Sequence, residues 1–230
     1  MKLYGDPIST TCRPVMLLAA ESGADLKLEV VDLFTGAHMK PEYAKLNPSR
    51  QVPLLDDDGF TLSESSAILK YLADKIGSPA YPKDLKKRAK VNEMMDWFNT
   101  GLYRDLGYGF IYAQVFPHQK REGDVAQAAQ LKFAREKAKN WLKILDENLI
   151  GPNKKFLCGD EVTIADYFGA CLLTAGDIVR CDYKPWPNVC RWLSNMQALP
   201  KERLRAGGCA RSPWPAPACS SSILRMPSSP

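Results

Sequence analysis

Residues 51–65, QVPLLDDDGFTLSES, carry the most structural information in the chain. Residues 52–55 predict a strand that begins at a proline, a position where a sheet tolerates the missing N–H. The acidic turn at residues 56–59 joins this strand to residues 60–62, and the pattern is typical of a β-hairpin. A helix is expected to follow the hairpin over residues 64–76.

The residues before the hairpin alternate between strand and helix. Residues 2–4 predict a strand, residues 13–24 a helix, residues 26–31 a second strand and residues 41–46 a short helix. The order over residues 1–76 is therefore β-α-β-α-β-β-α, with a helix directly after the first strand and a proline at the start of the third. This order predicts an α/β domain that resembles the thioredoxin fold.

Strand signals nearly vanish after residue 76. The prolines of residues 77–83 indicate a linker, and residues 84–199 predict an all-α second domain. The helical stretches fall at residues 84–106, 124–148, 164–179 and 187–198. Thr163 and Asp166 have the spacing of a capping box, so replacing Asp166 by alanine should cost about 1 kcal/mol or more.

The tail of the chain, residues 200–230, has a different composition. Residues 201–230 contain five Pro, six Ser, four Ala, two Gly and two Cys, and they show no hydrophobic period. One hypothesis is a non-native segment of the kind that an altered reading frame produces. The other is an ordinary disordered tail, and the sequence leaves both open.

The charge and the cysteines exclude several classes of protein. The net charge is +5, but residues 201–230 carry +4 of it, and the remaining +1 is too little for a surface that grips nucleic acid. The seven cysteines show no CxxC pairs and no histidines at ligand spacing, so neither a disulfide frame nor a metal site is predicted. The apolar runs fall far short of the ~20 residues of a membrane span, and no signal segment opens the chain, so we expect a cytoplasmic protein with no membrane partner.

Two local motifs of the first domain offer groups that suit a peptide or an anion. In Ser9-Thr10-Thr11-Cys12-Arg13, a hydroxyl lies where a strand turns into a helix, beside unpaired backbone N–H groups that attract anions; an ordinary N-cap is the alternative. In Val52-Pro53, a cis bond would turn the Val52 backbone toward a bound peptide, although the sequence alone favours a trans bond.

A third motif, Ser63-Glu64-Ser65-Ser66, places a carboxylate and hydroxyls at another helix start. A helix cap, with Glu64 in the first turn where the helix dipole favours a negative charge, is again the alternative.

Together the three motifs resemble the glutathione transferases, specifically the theta-like group that uses serine. The resemblance covers residues 1 to about 199, and its matching positions are Leu3-Tyr4, Ser9 to Arg13, Val31-Asp32-Leu33, Gly36-Ala37-His38, Asn47-Pro48, Gln51-Val52-Pro53, Phe60 to Ser65, Ala67 to Leu72, Tyr81-Pro82, Arg88-Ala89, Trp97, Leu157 to Asp160 and Thr163 to Asp166. It implies the architecture of cytosolic glutathione transferases: a thioredoxin-like α/β domain followed by an all-α domain. It also implies glutathione as cosubstrate, no metal, and a homodimer.

By position, the resemblance implies that Ser9 donates a hydrogen bond to the glutathione sulfur. It implies that the backbone of Val52, ahead of Pro53, pairs with the peptide. A thiol is mostly protonated at neutral pH, whereas the thiolate is the nucleophile. A hydroxyl bond and a nearby helix terminus lower the thiol pKa, and a fall of two units corresponds to ~2.7 kcal/mol, which one charge-assisted bond and a dipole can supply.

The other glutathione ligands follow from the same resemblance. Glu64 and Ser65 would hold the γ-glutamyl end, and His38 and Gln51 would face the glycine carboxylate. Taken alone, a histidine such as His38 is more often a surface residue than a ligand.

The second substrate is expected to be a small apolar electrophile, such as an alkyl halide or an epoxide, which is conjugated or dehalogenated in a cleft between the domains. The candidate wall residues are Leu102, Tyr103, Leu106, Tyr108, Phe110, Ile111 and Tyr112. Core packing is the alternative for such an aromatic stripe. Gly107 and Gly109 are expected to interrupt the helix, and Arg104 would either steer an anionic leaving group or be a solvated charge.

Two other functions stay open at this point. A non-catalytic module could keep the fold for binding or assembly, although intact Ser9, Glu64 and Ser65 argue against it. A redox protein could act through Cys12, which with Ser9 occupies the place of a CxxC pair. Because the first thiol of that pair is absent, Cys12 is expected to be buried structure rather than a nucleophile.

Overall fold

The computed structural model describes residues 1–199, which divide into two units, Met1–Asp84 and Leu85–Leu199. Residues 200–230, and with them both hypotheses for the tail, lie outside the described residues. No helix within residues 1–199 is long and apolar enough to cross a membrane.

A mixed four-stranded sheet lies in the first unit. Its strands are β1 (Lys2–Gly5), β2 (Lys27–Val30), β3 (Leu54–Asp57) and β4 (Phe60–Ser63), in the spatial order β2-β1-β3-β4. β1 and β2 are parallel, and helix α1 (Arg13–Ser22) makes the crossover that parallel strands require. β1 pairs with β3, and β3 with β4, in antiparallel fashion.

Two further helices, α2 (Pro41–Leu46) and α3 (Ser65–Lys75), complete the first unit. The predicted β-α-β-α-β-β-α order is therefore confirmed. A 3-10 turn at Ala37–Met39 was not predicted, because three residues are too few to produce a periodic pattern.

The core of this unit joins the sheet to its helices. Leu3 and Leu55 face each other in the β1–β3 register, and both are completely buried. Helix α3 packs against α1 and contributes Ile68, Leu69 and Leu72, which are also completely buried. Burial of each such side chain contributes about 1.5–3 kcal/mol, so the apolar pattern of α3 fixes its orientation.

Several element boundaries of this unit differ from the prediction by one or two residues, and two of these differences lie at motifs of interest. β3 begins at Leu54, two residues later than predicted, because Pro53 has no N–H to give to a ladder and Leu54 is the residue that pairs with Ser63. α3 begins at Ser65, because Glu64 has a φ of 66° and lies outside the helical region.

Long helical runs build the second unit. They are α4 (Leu85–Trp97), which continues through π-type turns at Phe98–Tyr112 and a short helix at Ala113–Val115; α5 (Asp124–Ile144), which continues through π-type turns at Leu145–Ile150; α6 (Ile164–Leu173), which ends in a 3-10 turn at Thr174–Val179; and α7 (Pro187–Gln197). The described part of this unit contains no strand, only an isolated bridge between Phe156 and Gly159, so the all-α prediction is confirmed.

The prediction that Gly107 and Gly109 interrupt the first of these runs is wrong, because both lie inside the π-type turns. A β-carbon at position 107 would lie 2.4 Å from the Tyr103 ring, and one at position 109 would lie 3.0 Å from the β-carbon of Ala134 on α5. The two glycines therefore permit close packing rather than a helix end.

Helix α6 begins with the predicted capping box and is buried along its whole length. The Asp166 carboxylate accepts hydrogen bonds from the N–H and the hydroxyl of Thr163, both at 2.8 Å. It also accepts from the N–H of Leu157 at 2.8 Å and from Nε1 of Trp192 at 2.9 Å. Burial raises the pKa of Asp166, and these four hydrogen bonds oppose the rise.

Candidate active site

One edge of the sheet gathers the segments that carry the three motifs. The parallel strands β1 and β2 end there, the antiparallel β3 begins there, and β4 ends there. The loop after β1 holds Ser9, the segment before β3 holds Val52, and the residue after β4 is Glu64. Three motifs that are far apart in the sequence therefore lie at the same edge.

The carboxylate of Asp6 fixes the loop between β1 and α1. Asp6 is buried, and its two oxygens accept hydrogen bonds from the N–H groups of Ile8 and Leu33, both at 3.0 Å. The Asp6 carbonyl accepts a third, from the N–H of Ser9 at 2.9 Å. Because Leu33 lies just beyond β2, Asp6 links the loop of Ser9 to the neighbouring strand.

The Ser9 hydroxyl lies in the last turn before α1 and is half-buried. Its Oγ accepts hydrogen bonds from the N–H groups of Thr11 and Cys12, both at 3.3 Å, as a capping residue does. It also lies 2.9 Å from the hydroxyl of Thr11. The N-cap residue of α1 is Cys12, so these bonds hold Ser9 in the loop ahead of the helix, where its half-exposed hydroxyl is able to meet a ligand.

Val52 lies beside this turn, and the bond from Val52 to Pro53 is cis, so the trans bond that the sequence favours is wrong. The carbonyl of Val52 accepts a hydrogen bond from the hydroxyl of Thr11 at 3.0 Å. The hydroxyl of Thr11 thereby joins Ser9 to the segment before β3, across 41 residues of sequence.

The carbonyl of Gln51 anchors the same segment from its other side. It accepts hydrogen bonds from the Tyr43 hydroxyl at 2.7 Å and from Nδ2 of Asn47 at 2.8 Å. Burial raises the pKa of Tyr43 to about 12, so its hydroxyl keeps its proton and remains a donor. Tyr43 and Asn47 are themselves buried, whereas Gln51 is exposed and its side chain is open to a ligand.

Glu64 and Ser65 stand at the junction of β4 and α3. Glu64 is exposed and has the left-handed φ of 66°, which is rare for residues other than glycine and asparagine. Ser65 is buried as the first residue of α3, where backbone N–H groups have no partner inside the helix. A strained, exposed carboxylate beside a helix start is typical of a binding position.

His38 lies in the 3-10 turn at Ala37–Met39 and is half-buried. Its Nδ1 atom is buried and has no hydrogen-bond partner among the described residues. A buried nitrogen without a partner costs free energy. Both His38 and Gln51 lie on the connection from β2 to β3, which returns to the same sheet edge.

Cys12 lies one residue before α1 and is completely buried. Burial raises the pKa of its thiol to about 11, although a hydrogen bond with Ser9 opposes the rise. A thiol that is buried and protonated is a poor nucleophile. The expectation that Cys12 is buried structure is confirmed.

Comparisons with known proteins agree with this geometry. The glutathione S-transferase N-terminal domain family matches residues 8–75, and the glutathione S-transferase C-terminal domain family matches residues 111–200. Human glutathione S-transferase theta-1 is 32% identical over 207 residues, which span 89% of this chain and 85% of that protein. The chain belongs to the glutathione S-transferase family.

Solved structures agree with this assignment. A delta-class glutathione transferase of Nilaparvata lugens is 36% identical, with a TM-score of 0.75 over 90% of this chain and 94% of that one. The apo form of human glutathione S-transferase T1-1 is 30% identical, with a TM-score of 0.75 over 90% of this chain and 87% of that one. This transferase is therefore an enzyme with the two-domain fold of its family, and the family uses glutathione as cosubstrate.

The seven residues predicted to form the wall for the electrophile lie in the helical unit of the transferase. Most of the seven candidates are core residues at most 6% exposed, so core packing accounts for Leu102, Tyr103, Leu106, Phe110 and Ile111. The other two, Tyr108 and Tyr112, are partly exposed, and their rings meet edge to face with centroids 5.2 Å apart.

A cavity of about 320 Å³ lies in the same unit, and Tyr108 and Arg104 are among its lining residues. The Arg104 guanidinium pairs with Asp105 at 3.1 Å, and Nε1 of Trp141 donates to the same carboxylate at 2.7 Å. Arg104 is therefore an exposed charge that is paired with Asp105. This favours a solvated surface charge over a residue that steers an anionic leaving group.

Metal chemistry finds no support in the described residues. Within residues 1–199, no group of three or more His, Cys, Asp or Glu side chains is arranged to hold a metal ion. The absence of a metal stays a prediction.

Thr11 lies between Ser9 and Val52, a place that the sequence did not predict. Its hydroxyl contacts both Ser9 and Val52, although it was quoted only as part of the first motif. A second hydroxyl two residues after Ser9 was the available signal. Nothing in the sequence shows that the Val52 carbonyl lies within reach of that hydroxyl, and this contact is what gives Thr11 its place.

Proposed function

We propose that this transferase binds glutathione along the sheet edge and uses the Ser9 hydroxyl to stabilise the thiolate for attack on small electrophiles. The observation that carries the proposal is the position of Ser9 Oγ, which two backbone N–H groups hold at the start of α1, beside the Val52 carbonyl. In the proposed complex the ligand sulfur lies at Ser9 and the ligand backbone at Val52.

The other residues of the site bind the backbone and the γ-glutamyl end of glutathione. The backbone of Val52, turned by the cis bond to Pro53, pairs with the cysteinyl unit. Glu64 and Ser65 bind the γ-glutamyl end, where the exposed carboxylate of Glu64 meets the ligand ammonium group.

His38 and Gln51 bind the glycine carboxylate at the other end of the ligand. The position of both residues on the connection from β2 to β3, which returns to the sheet edge of Ser9 and Val52, supports this role.

The chemistry requires a thiolate at neutral pH and a place for the thiol proton, which leaves to solvent. The ordinary thiol pKa is about 8.5, and a charge-assisted hydrogen bond from a hydroxyl with the adjacent helix start stabilises the anion by about 2–3 kcal/mol. This corresponds to a pKa lower by about two units. Ser9 acts as a hydrogen-bond donor, so no general base is needed.

The electrophile is a small apolar molecule such as an alkyl halide or an epoxide, and the outcome is conjugation or dehalogenation. Residues 1–76 form the glutathione-binding domain and residues 84–199 the substrate domain, joined by residues 77–83. The active form is a homodimer in the cytoplasm, as in transferases of this kind. These assignments rest on family membership.

The experiment that tests the role of Ser9 measures the ultraviolet absorbance of the bound glutathione thiolate against pH. The parent protein should show a midpoint about two pH units below that of free glutathione, and Ser9→Ala should shift it toward the free value. Ser22→Ala is the matched control, because within residues 1–199 the Ser22 hydroxyl donates only to carbonyls of its own helix, those of Leu18 and Ala19.

Two outcomes contradict the proposal. Equal midpoints in the parent and in Ser9→Ala would exclude serine-assisted activation, and absent binding would favour the non-catalytic module. Thiol transfer that is lost in Cys12→Ala but kept in Ser9→Ala would favour the redox alternative, which the burial of Cys12 opposes.

A further inference from the structure

The direction of the hydrogen bonds around Ser9 is fixed by what each atom can donate. Thr11 has one hydroxyl proton, and its Oγ1 lies 3.0 Å from the carbonyl oxygen of Val52, which can only accept. That proton is therefore committed to Val52. In the 2.9 Å contact between the two hydroxyls, Ser9 must then be the donor and Thr11 the acceptor.

The other contacts of Ser9 agree with this direction. Its Oγ accepts from the N–H groups of Thr11 and Cys12, but both contacts are 3.3 Å long, beyond the usual range of about 2.7–3.2 Å, so they are weak and leave the oxygen able to accept a stronger bond. The thiol of Cys12 also lies close to Ser9, but a neutral sulfur is a weaker acceptor than a hydroxyl oxygen. Without glutathione, the chain of donors therefore runs from Ser9 to Thr11 to the Val52 carbonyl.

This direction is wrong for catalysis, because the proton of Ser9 points at Thr11 and not at a sulfur. When Ser9 turns its proton to a thiolate, two hydroxyl oxygens 2.9 Å apart are left with no proton between them. The contact becomes favourable again if Thr11 turns its own proton toward Ser9. The Val52 carbonyl then loses its donor, and a backbone N–H of the bound peptide replaces it.

We propose that Thr11 is a positioning residue whose hydroxyl reverses its hydrogen bond when glutathione binds, from the Val52 carbonyl to Ser9 Oγ. This inference rests on the proposed roles of Ser9 and Val52. No proton changes its oxygen, since each hydroxyl only rotates. In the bound state Thr11 donates to Ser9, and Ser9 donates to the sulfur.

The consequence is a link between backbone capture and thiol activation. A hydroxyl that accepts a hydrogen bond becomes a stronger donor, by roughly 10–30% per bond in a chain. Applied to one charge-assisted bond, this gain lowers the thiolate midpoint by about half a pH unit. A thiol bound without the peptide N–H would leave Thr11 committed to Val52 and would not receive this support.

The test compares thiolate midpoints of bound glutathione in Thr11→Val, Thr11→Ser and the parent. Valine keeps the branched shape and removes the hydroxyl, so the midpoint should rise by about half a pH unit. Serine keeps the hydroxyl and should restore the parent midpoint. Thr61→Val, an exposed threonine of β4, is the matched control, and Thr11→Ala replaces valine if that variant does not fold.

The double variant with Ser9→Ala separates this role from simple packing. If Thr11 acts through Ser9, adding Thr11→Val to Ser9→Ala should cause no further shift. A parent midpoint in Thr11→Val, or a shift that persists without the Ser9 hydroxyl, overturns the role of Thr11 and leaves that of Ser9 intact. A parent midpoint in Ser9→Ala overturns both.

Discussion

We expect Asp166→Ala to lower the free energy of unfolding of the helical unit by about 4 kcal/mol. The substitution removes the acceptor of four hydrogen bonds at a position with no exposed surface. The donors left behind are the N–H groups of Leu157 and Thr163, the hydroxyl of Thr163 and the indole N–H of Trp192.

The magnitude follows from these donors. A buried donor without an acceptor costs about 1–3 kcal/mol, and loss of the cap alone costs about 1 kcal/mol. Local relaxation recovers part of the sum, so a total of about 4 kcal/mol is expected. Trp192→Phe removes a single donor and also leaves a small cavity, because Trp192 is completely buried, so the two effects together should cost about 2–3 kcal/mol.

Urea unfolding followed by far-ultraviolet circular dichroism measures both variants, with the dependence on urea concentration checked for constancy. A loss near 1 kcal/mol for Asp166→Ala would refute the reasoning, because the cap alone would account for it. The bonds to Leu157 and Trp192 would then contribute nothing.

Two further predictions concern the first unit. The carboxylate of Asp57 accepts hydrogen bonds from Lys75 and Tyr71, and both bonds lower its pKa below the ordinary value of 3.8. The charged carboxylate therefore stabilises the fold above pH 3.8, and this stabilisation is lost as the pH falls through the lower pKa of the folded state. Lys75→Met should therefore flatten the loss of stability below about pH 4 in acid titrations followed by circular dichroism, and an unchanged slope would contradict this. Glu64→Gly should relieve the left-handed φ and raise stability by up to about 1 kcal/mol, while it weakens glutathione binding about tenfold or more in calorimetry. Tighter binding in that variant would exclude Glu64 as a ligand residue.

The parts of the fold that depend on local pattern could be predicted from the sequence. The hairpin turn, which forms at Asp58-Gly59 within the predicted residues 56–59, the short helix at Pro41–Leu46 and the capping box at Thr163 are encoded within a few residues of where they form. Periodicity and turn chemistry are local properties, so they predict element type well.

The parts that depend on tertiary contacts could not be predicted. The capping box gave Asp166 one role, but Leu157 and Trp192, nine and 26 residues away, use the same carboxylate. Gly107 and Gly109 suggested a helix break, because the sequence does not show the Tyr103 ring and Ala134 packed against them. Contacts between residues far apart in the sequence determine the role of Asp166 and of the two glycines.

The candidate site also contains one residue that a local motif predicts and one that it does not. The first motif pointed to Ser9 because a hydroxyl at a strand-to-helix turn has a local reason to bind an anion. Thr11 gains its role only from the Val52 carbonyl, a partner 41 residues away. A side chain that works through a distant backbone atom leaves no local signal.

The burial of all ten residues of Ile164–Leu173 has a consequence for how the helical unit opens. A helix that is apolar on every side has no solvent-facing stripe along which single turns can fray. Its amide protons should therefore exchange with deuterium only when the surrounding helices separate, at the rate of the largest opening the unit undergoes. This segment should be the last part of the unit to exchange, and its exchange free energy should report the stability of the unit as a whole.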